Sequence, residues 1–182
     1  MKKVLIPLAP GFEEIEAVTI IDILRRAGAE VVTAGLEKRN VTGSHGIHLV
    51  ADSVIAEETG KNWDMVVLPG GVPGTPNLAA DERLRELLAQ HNRQGKLTAA
   101  VCAAPSVLDQ AGVLPGRQVT IHPAWSARLK DGQYQASRVH RDANIITGCA
   151  AGAAMEFAFE LVTALFGAEK AKEVNQGVLA RL

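Results

Sequence analysis

The chain has 182 residues, 47% of them hydrophobic and 21% charged, and a formal net charge of -1. This supports one domain of ordinary size, over residues 1–182, with a full core; it argues against a disordered chain and gives no sign of a nucleic-acid-binding surface. Two cysteines make no disulfide scaffold, no apolar run could span a bilayer, and MKKVLIPLAPGFEE reads as a first strand rather than a signal peptide, so the expected location is the reducing cytoplasm.

Residues 4–8 form a short apolar run that Ala9-Pro10-Gly11 breaks. Residues 12–27 carry a helical pattern that Gly28 stops. Residues 30–34 read as a second strand, closed by Gly35, and 41–50, rich in Gly and His, as a hairpin or edge segment. Residues 65–68, in DMVVLPGG, are an unbroken apolar strand that ends at Pro69-Gly70-Gly71. DERLRELLAQ, residues 81–90, is an amphipathic helix with an acidic first turn, extending toward Arg93. Residues 97–101 give the next strand and 104–111 the helix after it. Short strands at 119–121 and 145–147 and helices at 153–166 and 169–182 complete the pattern. Apolar strands alternating with helices predict an α/β domain with a largely parallel central sheet, and fully apolar strands such as MVVL predict helices on both faces.

Ligands of such sheets bind beyond the carboxyl ends of the strands. Pro10-Gly11, Gly70-Gly71 and Cys102 are therefore expected to converge. The chain has no GxGxxG fingerprint and no pair of histidines at metal-binding helical spacing, so neither a dinucleotide cofactor nor a metal is expected. Cys102 lies between the strand KLTAAV and a helix start, among Ala100, Ala103 and Ala104. It reads either as a packed thiol or as a nucleophile on a strained elbow, its pKa lowered by the helix N-terminus. Glu16 shares a helix face with Ile20, Ile23, Leu24 and Ala27, so its carboxyl points at the core; it either snorkels outward or hydrogen-bonds, protonated, to Cys102. Glu13 and Glu14 read as first-turn acids that complement the helix dipole. His122, in TIHPA, follows a strand and is placed to shuttle protons. His45, His48, His91 and His140 read as loop or surface residues. Apolar residues off the core face of the first helix, Ile15, Val18 and Ile21, point either to a dimer surface or to a second buried side within the chain.

LAPGFEEIEAV, VVLPGG, AAVCAAPSVL and TIHPA, in this order and spacing, resemble the ThiJ/PfpI superfamily, and within it the branch of the Parkinson-disease protein deglycase. The likeness runs from about Lys3 to Leu165. It implies a flavodoxin-like three-layer sandwich, a homodimer, and an oxidisable nucleophile at Cys102 contacted by a protonated Glu16, with His122 nearby. It also implies an oxyanion or substrate pocket at Gly70, Gly71 and the Ala103 N–H, and an arginine, Arg26, at the pocket mouth. Two departures stand out. Ala103 follows the cysteine where the protease-like branch has histidine, and Gly148-Cys149-Ala150-Ala151-Gly152 replaces a Ser-Arg-Gly-Pro-Gly-like run. The hairpin position where the family carries a second arginine is His45.

The leading expectation is a cofactor-free glyoxalase or deglycase. Cys102 attacks methylglyoxal, glyoxal or an early protein or nucleotide adduct, and Glu16 and His122 move the protons. The alternative is a peroxide-responsive sensor or chaperone that works by oxidation of Cys102. An amidase or peptidase is the weakest reading, because Ala103 supplies no general base.

Overall fold

A computed structural model describes residues 1–182. Strand β1 (Lys3–Leu8) is an interior strand of the sheet, and α1 (Glu14–Arg26) returns over one face to β2 (Glu30–Gly35). The Glu13 carboxylate caps α1, accepting the Glu16 N–H at 2.8 Å, so the helix starts two residues later than its sequence pattern. Strands β3 (Asn40–Thr42) and β4 (His48–Val50) form the expected hairpin as a separate two-stranded ribbon. A short β5 (Ser53–Val54) and one turn of α2 (Ile55–Glu58) lead to β6 (Met65–Leu68).

Two helices follow, α3 (Gly74–Ala80) and α4 (Glu82–Arg93), then β7 (Leu97–Val101) and α5 (Pro105–Gln110). The first of these has no counterpart in the sequence reading. Its Pro73, Gly74 and Pro76 resemble chain breakers, yet first-turn N–H groups have no helical acceptor, so proline is tolerated there. The segment read as a strand at 119–121 pairs only over β8 (Gln118–Val119), with β9 (Gln133–Tyr134); a 3-10 turn at Pro123–Arg128 lies between them. Strand β10 (Val139–Asp142), unread in the sequence because VHRD is polar, is the antiparallel edge beside β11 (Ile145–Gly148). Helices α6 (Ala154–Phe166) and α7 (Ala168–Val178) close the chain. The last helix stops short of its expected end at Leu182, because Leu179 turns left-handed and the Asn175 side chain brackets Ala180.

The seven strands run in the order β10-β11-β7-β6-β1-β2-β5, all neighbours parallel except β10 and β11. Alternation along the strands divides the core in two. Val4, Ile6 and Leu8 face a cluster with Ile20 and Leu24 of α1 and Phe157 and Leu161 of α6. Leu5, Val66 and Leu68 face Leu78, Leu84, Leu88 and Val107 on the opposite side. The fold is the expected flavodoxin-like three-layer sandwich. The order in which successive strands are added reverses at β1, with β2 on one side and β6 on the other, and ligands of such sheets bind at this reversal.

Candidate active site

The loops after β1, β6 and β7 meet as the sequence predicts. Glu13 N–H donates to the Gly70 carbonyl at 2.9 Å, and Gly74 N–H to the Gly11 carbonyl at 3.0 Å. A Cβ on Gly70 would stand 2.8 Å from Cys102 Cβ and 3.0 Å from Glu16 Oε2. One on Gly71, whose φ is +101°, would run into Glu13 and Gly11. The two glycines are what let the loops approach.

Cys102 directly follows β7 with a φ of +61°. A side chain in the left-handed region costs on the order of 1–3 kcal/mol and is held there by its surroundings. Here the hold is double: Cys102 N–H donates to the Gly148 carbonyl, and its own carbonyl accepts the His122 N–H at 2.8 Å. The elbow leaves the thiol half-buried and reachable. The altered 148–152 segment thus borders the site through backbone, and Cys149 itself is tied to the Arg138 carbonyl.

Glu16 is fully buried. Gly70 N–H donates to its Oε2 at 2.7 Å, while Oε1 has no partner of standard geometry. Burial raises its pKa to about 7, with the Gly70 N–H and a hydrogen bond with Cys102 pulling the other way. Near neutrality the carboxyl is thus about half protonated. The expected lowering of the Cys102 pKa is not found. Burial, then the charge of Glu16 and its hydrogen bond, push the thiol up to about 12, against the Ala103 N–H. α5 begins only at Pro105, and its short dipole does not outweigh desolvation. The two acids act as a pair. One proton passing from sulfur to carboxylate makes a thiolate beside a carboxylic acid, with no change in total charge.

The Gly71 N–H has no acceptor within the chain, and the Ala103 N–H donates to no backbone carbonyl but faces the Cys102 sulfur, so the two border the position an oxyanion formed at that sulfur would take. His122 is half-buried, and its Nδ1 accepts the Ala124 N–H at 3.2 Å, so the neutral ring carries its proton on Nε2. Arg26 is not brought to the site. It lies ten residues beyond Glu16 on α1, about 15 Å along the helix at 1.5 Å per residue, and its Nε is bonded to Asp22 at 2.8 Å.

Glu14, read in the sequence only as a first-turn acid, is buried. Its Oε1 accepts the N–H groups of His45 and Ile47, and its Oε2 accepts the Ser44 hydroxyl and pairs with His45 Nδ1 at 2.9 Å. This pins the hairpin tip to α1. Glu13, Glu14 and His45 bring their ligand atoms within 4.8 Å of one another, but hydrogen bonds already use the Glu14 oxygens, and the trio reads as a lock rather than a metal site. His91 is also a correction: it is buried, and its Nε2 donates to the Leu97 carbonyl at 3.0 Å. His140 stands in β10, half-buried.

A family model described as the DJ-1/PfpI family matches residues 2–164. The chain belongs to this family. It is 38% identical over 179 residues to protein DJ-1 homolog A of Arabidopsis thaliana, covering 97% of the chain but 46% of that relative, so it spans about half the relative's length. It is 35% identical over 172 residues to the glutathione-independent glyoxalase DJR-1.2 of Caenorhabditis elegans, covering 93% of the chain and 91% of the relative. Among solved structures, DJ-1 of Toxoplasma gondii in an oxidized form covers 100% of both chains at 37% identity, with a TM-score of 0.96. No helix of this DJ-1/PfpI chain is long and apolar enough to cross a membrane.

Proposed function

We propose that this chain is a cofactor-independent glyoxalase or deglycase acting on 2-oxoaldehydes, or on their early adducts with amines and thiols. The observation that carries the reading is the buried Glu16 carboxyl, poised near pH 7, beside a reachable cysteine held on a strained elbow. Glu16 carboxylate takes the Cys102 proton as sulfur bonds to the aldehyde carbon. The adduct forms as the alkoxide, held by the Gly71 and Ala103 N–H groups, and becomes the hemithioacetal when Glu16 returns the proton to that oxygen. Moving the C1 proton to C2, through an enediol and with Glu16 and His122 as the carriers, leaves a 2-hydroxyacyl thioester. Water cleaves it to the 2-hydroxy acid and restores the thiol, so the net change is addition of one water. The relative named a glutathione-independent glyoxalase supports this assignment.

The test is methylglyoxal without added metal or glutathione, followed by lactate. The wild-type chain forms lactate and Cys102→Ser loses at least a hundredfold in rate; equal turnover by the variant would falsify the mechanism. A second reading, oxidation of Cys102 to the sulfinate, draws on its reach and on the oxidized state of the Toxoplasma relative. Intact mass after mild peroxide tests it: two oxygens at Cys102, with Cys149 as internal control. The chain is further proposed to work as a cytoplasmic homodimer.

A further inference from the structure

Glu13 stands where α1, the hairpin tip and the Cys102–Glu16 pair meet. Its N–H donates to the Gly70 carbonyl at 2.9 Å. Its Oε2 accepts the Glu16 N–H at 2.8 Å, so it caps the helix at the very residue whose carboxyl serves the thiol. Gly70 in turn donates to Glu16 Oε2 at 2.7 Å, and a Cβ on it would stand 2.8 Å from Cys102 Cβ. Glu13, Gly70, Glu16 and Cys102 are therefore one contiguous cluster. The Glu13 side chain is only 12% exposed, so little water screens it from its neighbours. Burial comes first in raising both Glu16 and Cys102, and the charge of Glu13 adds to it in each.

No lysine or arginine offsets that charge. The one cationic partner is His45, whose Nδ1 lies 4.0 Å from Glu13 Oε1 and 2.9 Å from Glu14 Oε2. The imidazole is exposed at the hairpin tip. The hydrogen bond and charge of Glu14, and then the charge of Glu13, raise its pKa, so it keeps a proton further toward alkaline pH. The other elements packed against the elbow add His122 after β8, Cys149 after β11 and, on α6, Glu156 paired with Arg138. Asp109 of α5 is turned to the N–H groups of residues 130–132. The loop at residues 69–73 carries no titratable side chain.

We propose that Glu13 is a positioning residue for the reaction: its carboxylate governs how readily the Cys102–Glu16 pair releases its first proton, and His45 is its counter-charge. Loss of that proton leaves one negative charge shared between sulfur and carboxylate, and this anion is the nucleophilic form. A fixed negative charge beside the pair holds the proton on, and a cation beside the fixed charge eases its release. The proposal rests on Cys102 being the reacting group, so its test reads the thiol without turnover.

Asparagine and aspartate cap helices about equally well, but only aspartate carries a charge. The wild type, Glu13→Asp, Glu13→Asn and His45→Gln are alkylated with iodoacetamide between about pH 5 and 9, around the range where the pair titrates. Cys102 and Cys149 fall in different tryptic peptides, so mass spectrometry reads the Cys102 rate alone. Its midpoint falls by about half a pH unit or more in Glu13→Asn and keeps the wild-type value in Glu13→Asp. It rises in His45→Gln, where the carboxylates lose their cation. The kcat/KM profile with methylglyoxal moves in the same directions. Equal midpoints in Glu13→Asn and Glu13→Asp make the residue a helix cap alone and overturn the proposal. An unmoved midpoint in His45→Gln overturns the counter-charge. Midpoint shifts in a protein that forms no lactate keep the role of Glu13 and overturn the glyoxalase reading instead.

Discussion

Glu16 is a carboxyl that the fold makes hard to ionise. Its folded pKa of about 7 lies above the usual 4.5 because burial disfavours the charge. Below pH 4.5 the group is protonated both folded and unfolded, and its contribution to stability is complete. As pH rises from 4.5 through 7 the unfolded chain ionises first, and the contribution is lost, in all on the order of 3 kcal/mol. Glu16→Gln is expected to remove this slope. By urea denaturation the variant gains on the wild type between pH 5 and 8, while its turnover collapses for want of a proton acceptor. A difference curve flat across that range would show that Glu16 is already charged in the native state. Its inward direction was legible, because a carboxylate in the middle of an apolar helix face has nowhere else to point. The Cys102 pKa was not. Spacing suggests a helix dipole, but desolvation depends on what packs around the sulfur.

At the scale of elements, strands were legible wherever they are buried on both sides, as in MVVL and LTAAV, because nothing but burial explains such runs. β10 and α3 were not, one because edge strands are polar, the other because its prolines fall where helices tolerate them. The hairpin was legible, but what docks it was not. Burial alone would raise Glu14, yet hydrogen bonds from the His45 side chain and from the His45 and Ile47 N–H groups hold it down at about 2. The stability it gives is present above pH 4.5 and is lost as pH falls toward 2. Glu14→Gln is expected to free residues 43–47 at neutral pH. Hydrogen exchange at the His45 and Ile47 amides should quicken tenfold or more, with β1 amides unchanged, since hydrogen bonds to a charged group are worth roughly 1.5–3 kcal/mol. Equal protection in the variant would place the hold elsewhere, in the Ser44 N–H to Phe12 carbonyl bond.

For the whole molecule, the three-layer architecture followed from the order and polarity of the elements. The position of Arg26 did not, because a helix pattern shows which face a residue takes but not which end of the helix meets the site. Apolar surface remains unburied on α1 and the hairpin: Ile15 is 60% exposed, Ile47 54% and Val50 73%. Large apolar side chains left exposed on these two elements suit a self-complementary contact between two copies. Sedimentation at tens of micromolar should give a dimer, and Val50→Asp should weaken it at least tenfold. A wild-type monomer at that concentration removes the proposal.

Selection for thermal stability alone would lead this chain away from its chemistry. At position 102 the backbone is left-handed, a conformation that glycine adopts freely and cysteine does not. The thiol therefore occupies a site where the fold itself favours its removal. A library screened only for heat resistance would drift toward glycine or asparagine there, and its most robust survivors would be inert.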